Sequence, residues 1–238
     1  MNLAIMQPYF FPHIAYFQLI AAVDIFVVYT DVQFIKNGWI NRNRILLNNA
    51  ASWITLPVER GNLHDNINQR AFISYEQSCR KILNQLDAAY RKAPHFDETR
   101  CLIQSILRTA ETNVATTLAR HLELVSHHLG LNTKFLDSAD VYRQNVNLRG
   151  QQRVIDICRT LNASNYYNSI GGIALYAPEE FAKSEIVLRF LHPRPQTYRQ
   201  YDHPFISGLS IIDALMFNGA PQVASMLTQF DLVQKIVT

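Results

Sequence analysis

Asn2-Leu3-Ala4-Ile5-Met6, Pro8-Tyr9-Phe10-Phe11-Pro12, His13-Ile14-Ala15-Tyr16-Phe17-Gln18-Leu19-Ile20-Ala21-Ala22 and Asp24-Ile25-Phe26-Val27-Val28-Tyr29 follow one another almost without interruption. The first run is short and apolar, the pattern of a strand covered on both faces. Two prolines bracket an aromatic turn, and proline disfavours helix in the residue before it. The third run carries apolar residues at helical spacing. The fourth is rich in β-branched and aromatic residues, as strands are. A helix between two strands returns the chain to the same end of a sheet, so the unit reads as parallel β-α-β.

The rest of the chain extends the alternation. Asn37-Gly38 is a hairpin signal between apolar residues. Asn48-Asn49 and the run Trp53-Ile54-Thr55-Leu56-Pro57 suggest further short strands, and residues 61–68 form a polar loop. A helix is expected over residues 75–92, with Ser74 as N-cap and Gln77 completing a capping box. Further helices are expected at 97–107 and 114–129, the latter ended by Gly130. Strands at 133–136 and 186–191 alternate with helices at 151–161 and near 178–182, and residues 165–168 lead through Ser169-Ile170-Gly171-Gly172 towards the second of these helices. Two short helices, 210–217 and 221–227, are split by Asn218-Gly219. The expected class is α/β: a Rossmann-like parallel core with a β-hairpin insertion and a helical lobe. Residues 1–238 form one domain in this reading, with a mainly helical sub-lobe at about 74–130.

With 238 residues, 48% of them apolar, the chain can bury a sizeable core. A net charge of +3 with both signs spread along the sequence argues against a dedicated nucleic-acid binder. No segment approaches the length of an apolar membrane span. The opening Met1-Asn2-Leu3-Ala4-Ile5 lacks the basic region of a signal peptide and soon meets Pro8, so a cytoplasmic protein is expected. The three cysteines, Cys79, Cys101 and Cys158, form no Cys-x-x-Cys pair, and their odd number argues against a disulfide framework. Cys79 and Cys158 fall in apolar-periodic helices and read as core.

In open α/β sheets, ligands sit beyond the carboxyl ends of the strands, where the next helix begins. Gln7, Tyr9 and His13 occupy that place after the first strand, whereas Phe10 and Phe11 read as packing. A second polar cluster follows: Asp31, Gln33, Lys36, Asn37, Trp39, Asn41, Arg42, Asn43 and Arg44. Strand alternation would put Asn41 and Asn43 on one face and Arg42 and Arg44 on the other. Paired arginines beside amide donors and an indole suit a phosphate or pyrophosphate attached to a flat base. Ser169-Ile170-Gly171-Gly172 can turn backbone N–H groups towards an anion or be a simple turn. Ser210 and Asp213 resemble a helix N-cap pair and, with Asn218, are candidate lining residues of the same cleft. His203 is a candidate base. His64, His95, His121, His127 and His128 show no zinc-like spacing and read as core or solvated residues, so no metal site is expected.

The first block resembles the HIGH-motif class of nucleotidyltransferases and adenylating ligases. There a strand and a proline-containing turn lead into His-x-Gly-His on a helix. Here the segment is His13-Ile14-Ala15-Tyr16: the first histidine is present, and Ala15 and Tyr16 replace the glycine and the second histidine.

Over its whole length the chain resembles the WbqC-like family. The resemblance rests on Met6-Gln7-Pro8-Tyr9-Phe10-Phe11-Pro12, Tyr16-Phe17-Gln18-Leu19-Ile20, Asp31-Val32-Gln33-Phe34, Gly38-Trp39-Ile40-Asn41-Arg42-Asn43 and Tyr90-Arg91-Lys92-Ala93-Pro94. Leu209-Ser210-Ile211-Ile212-Asp213-Ala214-Leu215-Met216-Phe217-Asn218-Gly219 extends it. The family usually has tyrosine at His13 and glycine at Ala15. The resemblance implies a bacterial protein encoded among genes for O-antigen and other surface polysaccharides, beside enzymes of nucleotide-linked amino sugars.

The expected activity is therefore that of a transferase in lipopolysaccharide precursor synthesis. It would move an acyl or aminoacyl group from an activated donor to the amine of a nucleotide-linked sugar. His13 or Asp31 would be the base. Arg42 and Arg44 would hold the pyrophosphate, and Gln7, Tyr9, Lys36, Trp39, Asn41, Asn43, Ser210, Asp213 and Asn218 would help bind substrate. HIGH-like adenylyl or nucleotidyl transfer and non-catalytic binding of a sugar nucleotide or partner enzyme are the alternatives.

Overall fold

A computed structural model of the chain describes residues 1–109, 111–141 and 147–235. The opening run folds as β1 (Asn2–Met6), α1 (Ile14–Ala21) and β2 (Ile25–Val28). A hairpin, β3 (Arg42–Leu47) and β4 (Ala50–Thr55), follows, then a 3₁₀ turn at Ile67–Gln69. Three helices come next: α2 (Tyr75–Tyr90), α3 (Phe96–Leu107) and α4 (Val114–His128). The chain then returns through β5 (Lys134–Asp137), α5 (Ser138–Val141), α6 (Gly150–Thr160), β6 (Asn165–Ser169) and a 3₁₀ segment, Ile170–Leu175. It ends with α7 (Pro178–Ala182), β7 (Val187–Pro193), α8 (Ile211–Met226) and β8 (Phe230–Val233).

Six strands form one sheet in the order β5-β2-β1-β6-β7-β8. All neighbours are parallel except the antiparallel β7–β8 pair. The fold is thus α/β and Rossmann-like, as expected from the sequence. Side-chain alternation explains why the strands read as unbroken apolar runs. Leu3, Ile5 and Val27 face one layer with Ile157 and Cys158 of α6 and Phe181 of α7. Ala4, Phe26 and Val28 face the other, packed with Phe17 and Ile20 of α1 and Ile212 and Leu215 of α8. Cys79 and Cys158 are buried free thiols, in line with their reading as core.

Strand order runs outward from β1 through β2 to β5, then restarts on the other side of β1 with β6. The chain therefore leaves β1 and β6 towards opposite sides. A crevice opens at their carboxyl ends, which is where open α/β sheets bind ligands.

Three local expectations are corrected. Asn37-Gly38 makes a tight turn, with the Gly38 N–H on the Ile35 carbonyl at 3.2 Å, but joins no strand pair. The hairpin turn is Asn48-Asn49 instead, both in the left-handed region at φ 51° and 60°. Positive φ at both central residues suits the twist of a two-residue hairpin, and asparagine tolerates it. Ser74 also adopts left-handed φ and makes no side-chain cap, so α2 lacks the expected capping box. That reciprocal pair forms at the first 3₁₀ turn, where the Asn66 N–H donates to Gln69 Oε1 at 2.8 Å.

The break expected at Asn218-Gly219 is present inside α8. Gly219 has φ 69° and ψ 167°, and a Cβ there would lie 2.7 Å from the His95 ring. Positive φ and close ring contact both demand glycine. No helix among the described residues is long and apolar enough to cross a membrane.

Candidate functional site

The crevice beyond β1 and β6 is a cleft of about 440 Å³. The turn at residues 8–13 builds one side, with Tyr9 and His13 lining it. Trp39 and Arg44, from the hairpin insertion, form a second side, and Ser169 to Gly171 after β6 a third. Leu191 and Pro193 of β7 complete the lining.

The turn is held by the elements around it. Phe11 sits at φ 40°, an unfavourable value for a bulky side chain. The Asn43 amide donates to the carbonyls of Phe10 (3.0 Å) and Phe11 (2.9 Å). Ser210 Oγ donates to the Phe11 carbonyl at 2.7 Å and also caps α8 by accepting from the Ile212 N–H. The Phe10 N–H donates to the Trp39 carbonyl at 3.0 Å, and the Ile211 N–H to the Pro12 carbonyl at 2.9 Å. Phe10 and Phe11 are buried, so the turn is anchored by its aromatics and clamped by donors from β3 and α8.

This places His13 at the N-cap of α1, where its side chain makes no capping bond. The imidazole meets solvent at the cleft mouth, yet its surroundings are crowded. Desolvation by the atoms packed around it, and second the Arg44 guanidinium, hold it below the ordinary histidine value. A neutral imidazole can accept a proton near pH 7. Burial holds the Tyr9 phenol above its ordinary value, which keeps it protonated as a donor. Arg44 is steadied by a 3.2 Å bond to the Gly208 carbonyl and rests near Trp39, 5.4 Å from the ring centre.

The hairpin arginines lie on one face, as alternation predicts. Arg42 stacks on Trp53 at 4.2 Å, and Arg44 lies 6.0 Å from the same ring. They line different clefts. Lys36, Asn41 and Arg42 belong to a second opening, formed with residues of the loop that follows β4. Asn41 also donates to the Leu56 carbonyl at 2.9 Å.

Other candidate residues are occupied elsewhere. Asp31 pairs with Arg153 and accepts from Ser138 Oγ, and it lines neither cleft. The Gln7 backbone carbonyl accepts from the Tyr16 hydroxyl at 2.7 Å, and Gln7 is absent from the lining of the cleft. Tyr16 itself is 4% exposed, so the position of the second HIGH histidine is given to packing. Asp213 is wholly buried and accepts from Tyr90 (2.8 Å), Tyr198 (2.7 Å) and Gln200 (2.7 Å). Asn218 donates to the Ala214 carbonyl within α8. Asn43, Ser210, Asp213 and Asn218 thus use their polar atoms on the protein itself. His121 is buried against Phe11, with ring centres 5.3 Å apart. Among the described residues no group of histidine, cysteine and acidic side chains has the arrangement of a metal site.

The family model described as the WbqC-like protein family matches residues 7–225. The chain belongs to the WbqC-like protein family. In this member the matched region spans both the turn and the α8 cap that clamps it. "Uncharacterized protein Rv1507c" of Mycobacterium tuberculosis is 30% identical over 224 residues, covering 92% of this chain and 94% of that protein. No solved structure matches the chain.

Two parts of this family member's cleft escape a reading by motif. Leu191 and Pro193 are apolar and look like ordinary strand residues, and Gly208 contributes a backbone carbonyl. Strand order, rather than residue type, is the signal that brings β7 to the switch point.

Proposed function

We propose that this protein is a transferase of surface-polysaccharide precursor synthesis, moving an acyl or aminoacyl group to the amine of a nucleotide-linked sugar. The observation that carries the proposal is a histidine and an arginine brought together in one cleft at the switch point of the sheet, the histidine lowered by desolvation and by that arginine. A sugar ammonium must lose a proton before its nitrogen can attack a carbonyl, and His13 accepts that proton. The amine then adds to the carbonyl of the activated donor, forming the carbon–nitrogen bond. The resulting oxyanion gains from the Arg44 guanidinium and from donors such as the Tyr9 hydroxyl. As the intermediate collapses, the nitrogen's second proton passes to the departing group, which leaves protonated, and an amide remains. Leu191 and Pro193 give the cleft an apolar wall beside the reacting groups.

Family membership supports the setting, and the cleft supports the chemistry. Asp31, tied to Arg153 and Ser138, is left out of the reaction. The test is incubation of the purified protein with activated acyl or aminoacyl donors and a nucleotide-linked amino sugar, read by mass. The reading predicts an amide product whose formation falls at least a hundredfold in His13→Gln, within the range general-base catalysis supplies. Absence of product with all such donors would overturn it.

A further inference from the structure

The second cleft lies between the base of the hairpin and the loop after β4 and has a volume of about 700 Å³. Lys36, Arg42, Arg60 and Arg70 all line it, with Asn37 and Asn41 between them. Among the described residues the lining contains one carboxylate, Glu59. Asp65, behind the wall, pairs with Arg70 at 3.1 Å. The cleft therefore keeps an excess of positive charge.

Two of the four cations are fixed in place. Arg70 is 8% exposed; one guanidinium nitrogen bonds Asp65, another bonds the Glu59 carbonyl at 2.5 Å, and the group rests 5.1 Å from the Phe34 ring centre. The loop lies directly on it: a Cβ at Gly61 would fall 1.8 Å from Arg70 Nη1, so a larger residue there would displace the guanidinium. Arg42 bonds the Gly38 carbonyl at 3.2 Å and the Asn37 carbonyl, and stacks on Trp53. Lys36 and Arg60 are exposed, with no ion pair among the described residues. A floor of positioned guanidiniums under two free cations costs electrostatic self-repulsion, which a bound polyanion relieves. Guanidinium forks suit phosphate oxygens, and a lysine adds a point charge. The Trp53 indole, 43% exposed, supports Arg42 and adds aromatic surface beside the cleft.

We propose that this cleft binds a nucleoside diphosphate group, with the diphosphate on Lys36, Arg42, Arg60 and Arg70 and the base beside Trp53. The site is separate from the His13 cleft, and its occupancy depends on no reaction there. Together with the proposed transfer, it divides a nucleotide-linked substrate into a nucleotide end held by the second cleft and a reacting end at His13.

Titration calorimetry of the full chain with UDP and with inorganic pyrophosphate tests the proposal. Both are expected to bind saturably and to weaken as salt rises from 50 to 300 mM, as exposed charge contacts do. The double variant Lys36→Ala/Arg60→Ala should weaken both at least tenfold, with an unchanged thermal midpoint because both side chains are exposed. His13→Gln should leave both affinities unchanged. Failure of UDP and pyrophosphate to bind would overturn the inference, as would retained affinity in the double variant. Binding lost in His13→Gln alone would place the ligand in the other cleft and overturn it too. A transferase assay that fails while UDP binding follows this pattern would sink the reaction and leave the binding site standing.

Discussion

The Asn43 amide nitrogen donates to the carbonyl of Phe11 at 2.9 Å, and Phe11 is the bulky residue that carries positive φ in the turn before His13. A side chain of the hairpin insertion therefore fixes the backbone that presents the proposed base. A strained backbone of this kind costs about 1–3 kcal/mol and persists only where its surroundings over-determine it. Asn43→Ala removes the side-chain donor from the Phe10 carbonyl and one of two donors from the Phe11 carbonyl, which keeps Ser210. Chemical denaturation should show a loss of about 1–3 kcal/mol, the cost of one unsatisfied buried group. Turnover should fall in step with misplacement of His13. An unchanged midpoint would show that the turn holds without its clamp.

His121 should make stability depend on pH. Burial pushes its imidazole down to about 3, whereas the unfolded chain has the ordinary value of 6.5. Between those values the unfolded chain binds the proton and the native state does not. Native stability should then fall as pH drops below 6.5, by up to about 1.4 kcal/mol per pH unit from this residue. Both ring nitrogens are also buried without a hydrogen-bond partner. His121→Leu, close in volume, should flatten the pH dependence of denaturant midpoints between pH 6.5 and 4 and raise the midpoint at pH 5. An unaltered slope would count against it.

Asp213 acts in the opposite direction. Its burial raises the carboxyl above its ordinary value, against the pull of hydrogen bonds from Tyr198, Tyr90 and Gln200. The native state holds this proton more tightly than the unfolded chain does. Stability contributed by Asp213 is present at low pH and is lost as pH rises from 3.8 through the raised folded value. Asp213→Asn should remove that decline, whereas Asp213→Ala should cost about 3 kcal/mol or more by stranding three buried donors. Midpoints measured from pH 3.5 to 7 for both variants separate the two effects.

Arg44 is the second cause of the lowered His13 value, after desolvation. Arg44→Gln should raise the His13 pKa, because removing a nearby cation favours the protonated ring. The His13 imidazole signal, followed by NMR titration, should move to a higher midpoint, and the acidic limb of kcat/KM should move with it. A midpoint unchanged from wild type would separate Arg44 from the base.

These residues show why the fold was easier to read than the site. β1, α1 and β2 carry their own signals, because burial on both faces writes apolar runs into consecutive positions. Asn43, Ser210, Asp213 and Asn218 stood out as polar residues in or beside apolar segments and resembled ligand contacts. Their partners are backbone carbonyls, helix N–H groups and tyrosines, and for Asn43, Ser210 and Asp213 key partners lie far away along the chain: Ser210 meets Phe11 across 199 positions. Local sequence cannot distinguish a polar group that waits for a substrate from one that satisfies a distant turn. The antiparallel edge strand β8 was missed for a related reason, since its four residues depend on β7 for pairing. His13 stood out because it follows a strand end, and Arg44 as one of two arginines beside amide donors; the fold brings both to one cleft. Lys36, Arg42 and Asn41 were noticed, but their partners Arg60 and Arg70 come from a loop and a segment that local sequence does not link to the hairpin.

The central claim is that His13, in the cleft beyond β1 and β6, deprotonates an amine for acyl or aminoacyl transfer. Its most direct test is mass spectrometry of a nucleotide-linked amino sugar incubated with an activated donor and either wild-type protein or His13→Gln. The account predicts an amide-forming mass increase with wild type and at least a hundredfold less with the folded variant, within the range general-base catalysis supplies. No product from wild type, or equal product from both, would contradict it.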